Sequence, residues 1–168
     1  DNYLRNLNFR GLGWTQLRWM FTTFQGSLYR PLTWVTLGLD YLLWQMNPFG
    51  YHLTSLLLHV LNSLLFYFLA GRLFRLAVRN PDPSSGLASR IAAGFAALFF
   101  AVHPLRVEPV AWISARNDLV CGVFFLSSLL CYLKAGTDKK RGWLRIAAIL
   151  YAFSLLSKGS AMMLPMVL

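Results

Sequence analysis

An all-α, polytopic transmembrane helix bundle is the fold class this sequence predicts, and three observations carry it. Of 168 residues, 57% are hydrophobic and only 13% charged, far from the balance of a water-soluble domain of this length. Four apolar stretches approach the roughly 20 residues that a membrane-spanning helix needs. The 16 Lys and Arg outnumber the 6 Asp and Glu, for a net charge of +10, and they cluster at the ends of those stretches. A nucleic-acid binder would instead spread its cations over one solvated face, so the expected partner is the lipid bilayer and not nucleic acid. The chain opens on the polar run Asp1-Asn2-Tyr3-Leu4-Arg5-Asn6 without an initiator Met and ends inside the apolar run Met162 to Leu168. It therefore reads as an internal segment of a longer protein. Cys121 and Cys131 are ten positions apart, about 15 Å on a helix, too far for a disulfide.

Residues 1–50 are expected to form an outer-face segment with interfacial, juxtamembrane helices. They contain two aromatic-rich stretches, Trp14 to Phe24 and Pro31 to Met46. Pro31 suits the first position of a helix. The run behind it, residues 31–46, is short for a span and long for a loop. An interfacial helix with Trp19, Trp34, Tyr41 and Trp44 at headgroup depth is the expected form, and a true crossing is the alternative.

Residues 51–168 are expected to be the bundle. Its spans are placed at about 52–74, after the turn signal Asn47-Pro48-Phe49-Gly50, then at 87–103, 119–133 and 143–157. A further span begins near residue 161. None shows 3.6-residue amphipathicity along its full length, as expected for helices surrounded by lipid and one another. The loop after the first span carries Arg72, Arg75, Arg79 and Arg90, and the loop after the third carries Lys134, Lys139, Lys140, Arg141 and Arg145. These are nine of the sixteen cations, so the positive-inside rule makes both loops cytoplasmic. The segment His103 to Asp118 then faces outward, as do residues 1–50 and the Ser157-Lys158-Gly159 turn.

Two polar groupings stand out at membrane depth. In the first span His52, Ser55, His59 and Asn62 are spaced 3, 4 and 3, which places them on one helical face. Such a stripe must face protein or water. His52 and His59 are about 10.5 Å apart along the axis, which excludes a shared metal ion. Interhelical hydrogen bonding or the lining of a lipid or substrate groove are its two readings. The second grouping, His103 to Asp118, packs two Arg, two acids and a His among Val107, Val110, Ala111, Trp112 and Ile113. It reads as a packed outer segment presenting ionised groups to a cleft, with Glu108–Arg116 and Arg106–Asp118 ion pairs as the structural alternative. Carboxylates serve as general bases or metal ligands, and Arg or Lys can clamp a phosphate. A membrane cleft holding both points to phosphate-linked substrates delivered by lipid.

Several ordered motifs carry a resemblance. They are Tyr29-Arg30-Pro31-Leu32-Thr33-Trp34, then Asn47-Pro48-Phe49-Gly50-Tyr51-His52-Leu53 and Leu57-Leu58-His59. The loop with His103-Pro104, Glu108, Val110-Ala111-Trp112-Ile113, Arg116 and Asp118 follows, and Ser154-Leu155-Leu156-Ser157-Lys158 closes the set. Together they resemble the transmembrane tetratricopeptide-repeat O-mannosyltransferases and their bacterial homologues, within the polytopic glycosyltransferases that use polyprenyl-phosphate sugars. Ser55 departs from the pattern, where relatives commonly carry Asn. The resemblance implies a GT-C-type bundle at the bacterial inner membrane or the endoplasmic reticulum, with its active site facing outward or into the lumen. It implies transfer of a mannose-like sugar from a polyprenyl-phosphate donor to an acceptor protein or glycan, chiefly on a Ser or Thr hydroxyl.

On this reading Asp1 matches the second acid of the family's acidic pair and is a base or positions the acceptor. Glu108 and Asp118 are its acidic partners, with a divalent cation as an optional bridge and no certain cofactor. Arg106, Arg116 and Lys158, with His103, hold the leaving phosphate. The segment by itself is expected not to catalyse. A transporter or flippase for a lipid-linked or anionic solute is the competing reading, and a membrane anchor for a repeat-containing scaffold is a third. Convergence of the acids and cations in one groove favours transfer, and a path reaching both faces favours transport.

Overall fold

The computed structural model describes residues 7–24, 29–77, 85–138 and 140–163. Every regular element among them is helical: α1 (Trp14–Thr22), α2 (Pro31–Trp44), α3 (Pro48–Ala77), α4 (Ser85–Val102), α5 (Val107–Ala111), α6 (Arg116–Asp138) and α7 (Arg141–Ser157), with 3-10 turns at Leu7–Phe9, Pro104–Arg106, Ile113–Ala115 and Gly159–Met163. Three helices are long and apolar enough to cross a membrane: Pro48–Ala77, Ser85–Val102 and Ile113–Asp138, the last joining a 3-10 turn to α6. The protein is an all-α membrane helix bundle.

The first span begins four residues earlier than the sequence predicts. Asn47-Pro48 is the helix start and not a turn before it: Asn47 Oδ1 accepts the Phe49 N–H at 3.1 Å, and Pro48 occupies a position where no N–H is needed. Thirty residues make α3 about 45 Å long, well over the roughly 30 Å hydrocarbon core. Its first turns therefore stand beyond the ends of α4 and α6, where they pack against α2. The tight entry from α2 requires Gly50, because a Cβ there would sit 2.0 Å from Cγ of Trp44.

α4 returns antiparallel to α3, with Gly71 of α3 close against Ala93, small residues that let helix backbones approach. α6 runs alongside α3, from Asn62 against the Leu119 carbonyl down to Arg72, which donates to Leu133 O and Thr137 Oγ1 at 3.3 and 2.7 Å. α7 packs antiparallel on α6 through buried hydrogen bonds. Ser128 Oγ donates to Ala147 O at 2.8 Å, and Ser154 Oγ contacts Cys121 at 3.3 Å. Outward-facing Leu56, Leu57, Leu61, Leu64 and Phe68 of α3 and Phe95, Leu98 and Phe99 of α4 are exposed, the surface a lipid solvent requires.

The fourth expected span, 143–157, falls within α7, whose 17 residues lie at the lower limit for crossing. Two other expectations are revised. The helix expected from residue 161 begins instead as the 3-10 turn Gly159–Met163, and residues 164–168 lie outside the described residues. Trp34, expected at headgroup depth, is 3% exposed. It joins Phe9, Met20, Leu37 and Tyr51 in a small core and meets Trp19 edge-on at 5.2 Å. α1 and α2 thus pack through Trp19 and Trp34, with Trp34 also in the core shared with Tyr51 of α3, and α2 at 14 residues is too short to cross.

Candidate functional site

The end of the bundle that carries His103 to Asp118, here the upper end, gathers most of the residues singled out from sequence. Between α4 and α6 the chain makes two 3-10 turns around the short α5, which lies against α3 and α6. His103 caps the first turn, its Nδ1 accepting the Leu105 N–H at 3.3 Å, and its ring meets Phe99 edge-on. The segment lies against the helix ends, but none of Val107, Val110, Ala111, Trp112 and Ile113, which were expected to pack, is buried; its buried residue is Pro109. Val107 and Trp112, at 63% and 62% exposed, remain uncovered because the segment crosses the helix ends with one side turned away from them.

Neither ion pair allowed by charge alternation, Glu108–Arg116 or Arg106–Asp118, forms. Arg116, the first residue of α6, is fully buried and paired with Asp40 of α2. Its Nε donates to Ser55 Oγ at 3.2 Å and its Nη2 to the Tyr51 carbonyl. Asp40 also accepts from Thr54 Oγ1 at 2.8 Å. Arg116 was expected to hold phosphate; this geometry commits all three of its donor groups to protein, and it joins α2, α3 and α6 instead. Asp118, two residues on, pairs with Lys158 at the end of α7. That pair is about one-third exposed on each side.

The polar stripe of α3 is also redrawn. Ser55, His59 and Asn62 are buried, but His52 is exposed. His59 Nε2 lies 3.0 Å from the carbonyl of Ala101, at the last turn of α4. His52 sits seven residues earlier, about 10.5 Å further along, beyond the point where α4 ends. Tyr51 is buried in this region in its place, with its hydroxyl donating to Gln45 O at 2.8 Å.

Of the three cations expected to hold phosphate, Arg106 is the one left over. Its guanidinium lies over the Phe100 ring at 4.2 Å and makes no ion pair among the described residues. It borders three adjoining cavities. One, of about 350 Å³, is almost wholly apolar, lined by Phe66, Ala96, Phe99, Phe100 and Leu105 beside His103. A second, of about 240 Å³, is bounded by His59, Asn62, Asp118, Gly122 and Phe125. A third lies between His59, His103 and Val110. Glu108 is exposed, lines none of these, and its carboxylate is unpaired among the described residues.

The arrangement thus brings Arg106, His103, Asp118 and Lys158 together around the upper ends of α3, α4 and α6. It sets Arg116 apart in the packing and Glu108 apart at the surface, while Asp1 lies outside the described residues. No cluster of three or more His, Cys, Asp or Glu able to hold a metal ion occurs among the described residues. Sequence reasoning did not single out Phe66, Phe100 or Gly122, since apolar and small residues inside a span look the same whether they pack or line a cavity.

No protein-family model matches the chain, and no solved structure matches it. Curated relatives do. Protein O-mannosyl-transferase Tmtc3 of Drosophila melanogaster is 36% identical over 129 residues, covering 70% of this chain and 14% of the relative. Protein O-mannosyl-transferase TMTC4 of Homo sapiens is 37% identical over 139 residues, 77% of this chain and 19% of the relative. Protein O-mannosyl-transferase tmtc2 of Xenopus laevis is 41% identical over 106 residues, 63% of this chain and 11% of the relative. The chain spans between about a tenth and a fifth of the length of these relatives. Identity above one-third across most of the chain, joined to a helical bundle of the expected kind, shows that this chain belongs to the family of the TMTC protein O-mannosyl-transferases.

Proposed function

We propose that this chain carries the donor-binding part of a membrane glycosyltransferase that moves a mannose-like sugar from a polyprenyl phosphate to a Ser or Thr hydroxyl of an acceptor protein. The observation that carries the proposal is Arg106, an unpaired guanidinium where an apolar cavity adjoins a polar one. A polyprenyl-phosphate sugar has this same sequence of chemistries: a hydrocarbon tail, an anion and a polyhydroxyl ring. The tail lies against Phe66, Phe99, Phe100 and Leu105, and Arg106 faces the phosphate, with Lys158 and His103 within the same region. The acceptor oxygen attacks the anomeric carbon, the carbon–oxygen bond to phosphate breaks, and polyprenyl phosphate leaves with its negative charge held by Arg106. The acceptor proton passes to a carboxylate. Among the described acids at the upper end, Asp40 and Asp118 are paired; Glu108, exposed between the cavity-lining Val107 and Val110, is the proposed base for an acceptor that arrives from the surface.

The relatives' names as O-mannosyl-transferases support the reaction class. The distribution of charge supports an outward or lumenal site, because Arg72, Arg75, Arg90, Lys134, Lys140, Arg141 and Arg145 all lie toward the opposite end of the bundle. The test is transfer from a polyprenyl-phosphate mannose by the membrane-embedded protein at its full natural length. A charge-assisted contact is worth about 1.5–3 kcal/mol, so Arg106→Ala is expected to lose roughly ten- to hundredfold in kcat/KM for the donor, with Arg106→Lys recovering part of it. Unchanged donor use by Arg106→Ala at normal expression overturns the proposal.

A further inference from the structure

His59 and Asn62, which line the cavity between α3 and α6, each bury one polar atom that has no partner among the described residues, and both atoms are acceptors. His59 is 9% exposed and Asn62 is 3% exposed. The Ala101 carbonyl beside His59 Nε2 can only accept, so in the neutral ring Nε2 carries the proton and Nδ1 is left as an acceptor. Asn62 Nδ2 donates to the Leu119 carbonyl at 2.9 Å, which leaves its Oδ1 as an acceptor as well. Neither Nδ1 nor Oδ1 has a hydrogen-bond partner among the described residues. The two residues are three apart on one helix face, about 5–6 Å between their Cβ atoms, and both line the same space of about 240 Å³. Leaving two such acceptors buried and unpaired costs about 1–3 kcal/mol each, so a donor-bearing occupant is favoured. The volume is several times the roughly 30 Å³ of one water.

Resting on the reading that this chain binds a polyprenyl-phosphate sugar, we infer that this cavity receives the donor's sugar ring, with His59 Nδ1 and Asn62 Oδ1 each accepting a hydrogen bond from a ring hydroxyl. The cavity shares Arg106, Phe66 and Phe100 with the apolar cavity, so a donor whose phosphate meets the guanidinium can place its tail in one and its ring in the other. A hydroxyl suits these acceptors better than an ammonium group, because Arg106 already supplies a positive charge at the mouth. Gly122 limits the occupant's size: a Cβ at this position would come within 2.8 Å of Asn62 Oδ1, displacing the amide into the cavity or out of register.

The test measures binding of three probes to the membrane-embedded full-length protein: polyprenyl-phosphate mannose, its singly deoxygenated analogues, and polyprenyl phosphate without sugar. Wild type is expected to prefer the mannose-bearing lipid over the bare phosphate. Loss of one neutral hydrogen bond is worth about three- to tenfold. His59→Phe should reduce the preference by this amount and should be indifferent to removal of one particular hydroxyl that wild type detects. Gly122→Ala should reduce the preference while binding bare polyprenyl phosphate as wild type does. An equal loss for all three probes marks a merely structural role and overturns the inference. Wild-type binding of the lipid phosphate without discrimination of the sugar overturns it too, while leaving the donor-binding proposal standing. No binding of any of the three lipids removes both.

Discussion

Neutralising Asp40 is expected to destabilise the upper end of the bundle by about 3–5 kcal/mol, the range for breaking a buried ion pair from one side. Asp40 is 2% exposed and Arg116 is 0% exposed, so neither charge has water to fall back on. Asp40→Asn preserves the shape and the bond from Thr54, but leaves the guanidinium with only neutral acceptors, Ser55 Oγ and the Tyr51 carbonyl. Arg116→Lys is no rescue, since one ammonium cannot present the planar fork that meets Asp40, Ser55 and Tyr51 together. The assay is equilibrium unfolding of the purified protein in detergent, read from tryptophan fluorescence because Trp34 and Trp44 lie on the helix that loses its anchor. A cycle of Asp40→Leu, Arg116→Met and the double variant isolates the pair. The double variant should be less destabilised than the two singles summed, as an apolar replacement removes both charges at once. A cost below about 1 kcal/mol for Asp40→Asn, the range of exposed pairs, refutes the reasoning.

Three further outcomes follow from the same geometry. Lys158→Met breaks a pair about one-third exposed on each side, so its cost in the same unfolding assay should stay within about 1 kcal/mol. A loss as large as that of Asp40→Asn would show that this pair is equally dry. Gly50→Ala forces a methyl onto Trp44 and should cost about 1–3 kcal/mol by overpacking, seen as a lowered Tm with an altered near-ultraviolet signal from the Trp44–Phe49 contact. Glu108→Gln, at normal expression and with donor binding retained, should abolish sugar transfer in the full-length protein. Wild-type turnover in that variant removes Glu108 from the mechanism.

What the sequence reveals of the fold depends on which forces set each element. Spans one to three are legible because lipid demands length and apolarity, and those are linear properties. Their ends are less so: the start of α3 turns on a local cap at Asn47, and only the Asn-Pro pair hints that helix and not turn follows. The burial of Ser55, His59 and Asn62 is legible from spacing, yet His52 shares that spacing and is exposed. Spacing defines a face, whereas burial also depends on how far the neighbouring helix extends. Ion pairing is the least legible, because alternation within His103 to Asp118 shows only nearby partners. Asp40 lies 76 positions from Arg116, and nothing local announces the match. The cavities beside Arg106 belong to the same class, being shaped by Phe66, Phe100 and Gly122, whose identities are those of ordinary packing residues.

Cations that are equivalent in sequence are therefore unequal in energy. Moving Arg116 from Asp40 onto a ligand phosphate would strand a carboxylate in a dry site, at a cost comparable to the whole gain from the new contact. Lys158 faces no such barrier. Its partner Asp118 is partly hydrated, the pair is worth at most about 1 kcal/mol, and the same ammonium can exchange Asp118 for a phosphate oxygen at little cost. Arg106 has nothing to give up except its position over Phe100. On the proposed reading, the order in which these groups can engage an incoming anion is Arg106 first and Lys158 second. Release of Lys158 then frees the carboxylate of Asp118 at the edge of the sugar cavity. Arg116 contributes by holding the start of α6, and with it Asp118, in register with α3 while that exchange takes place.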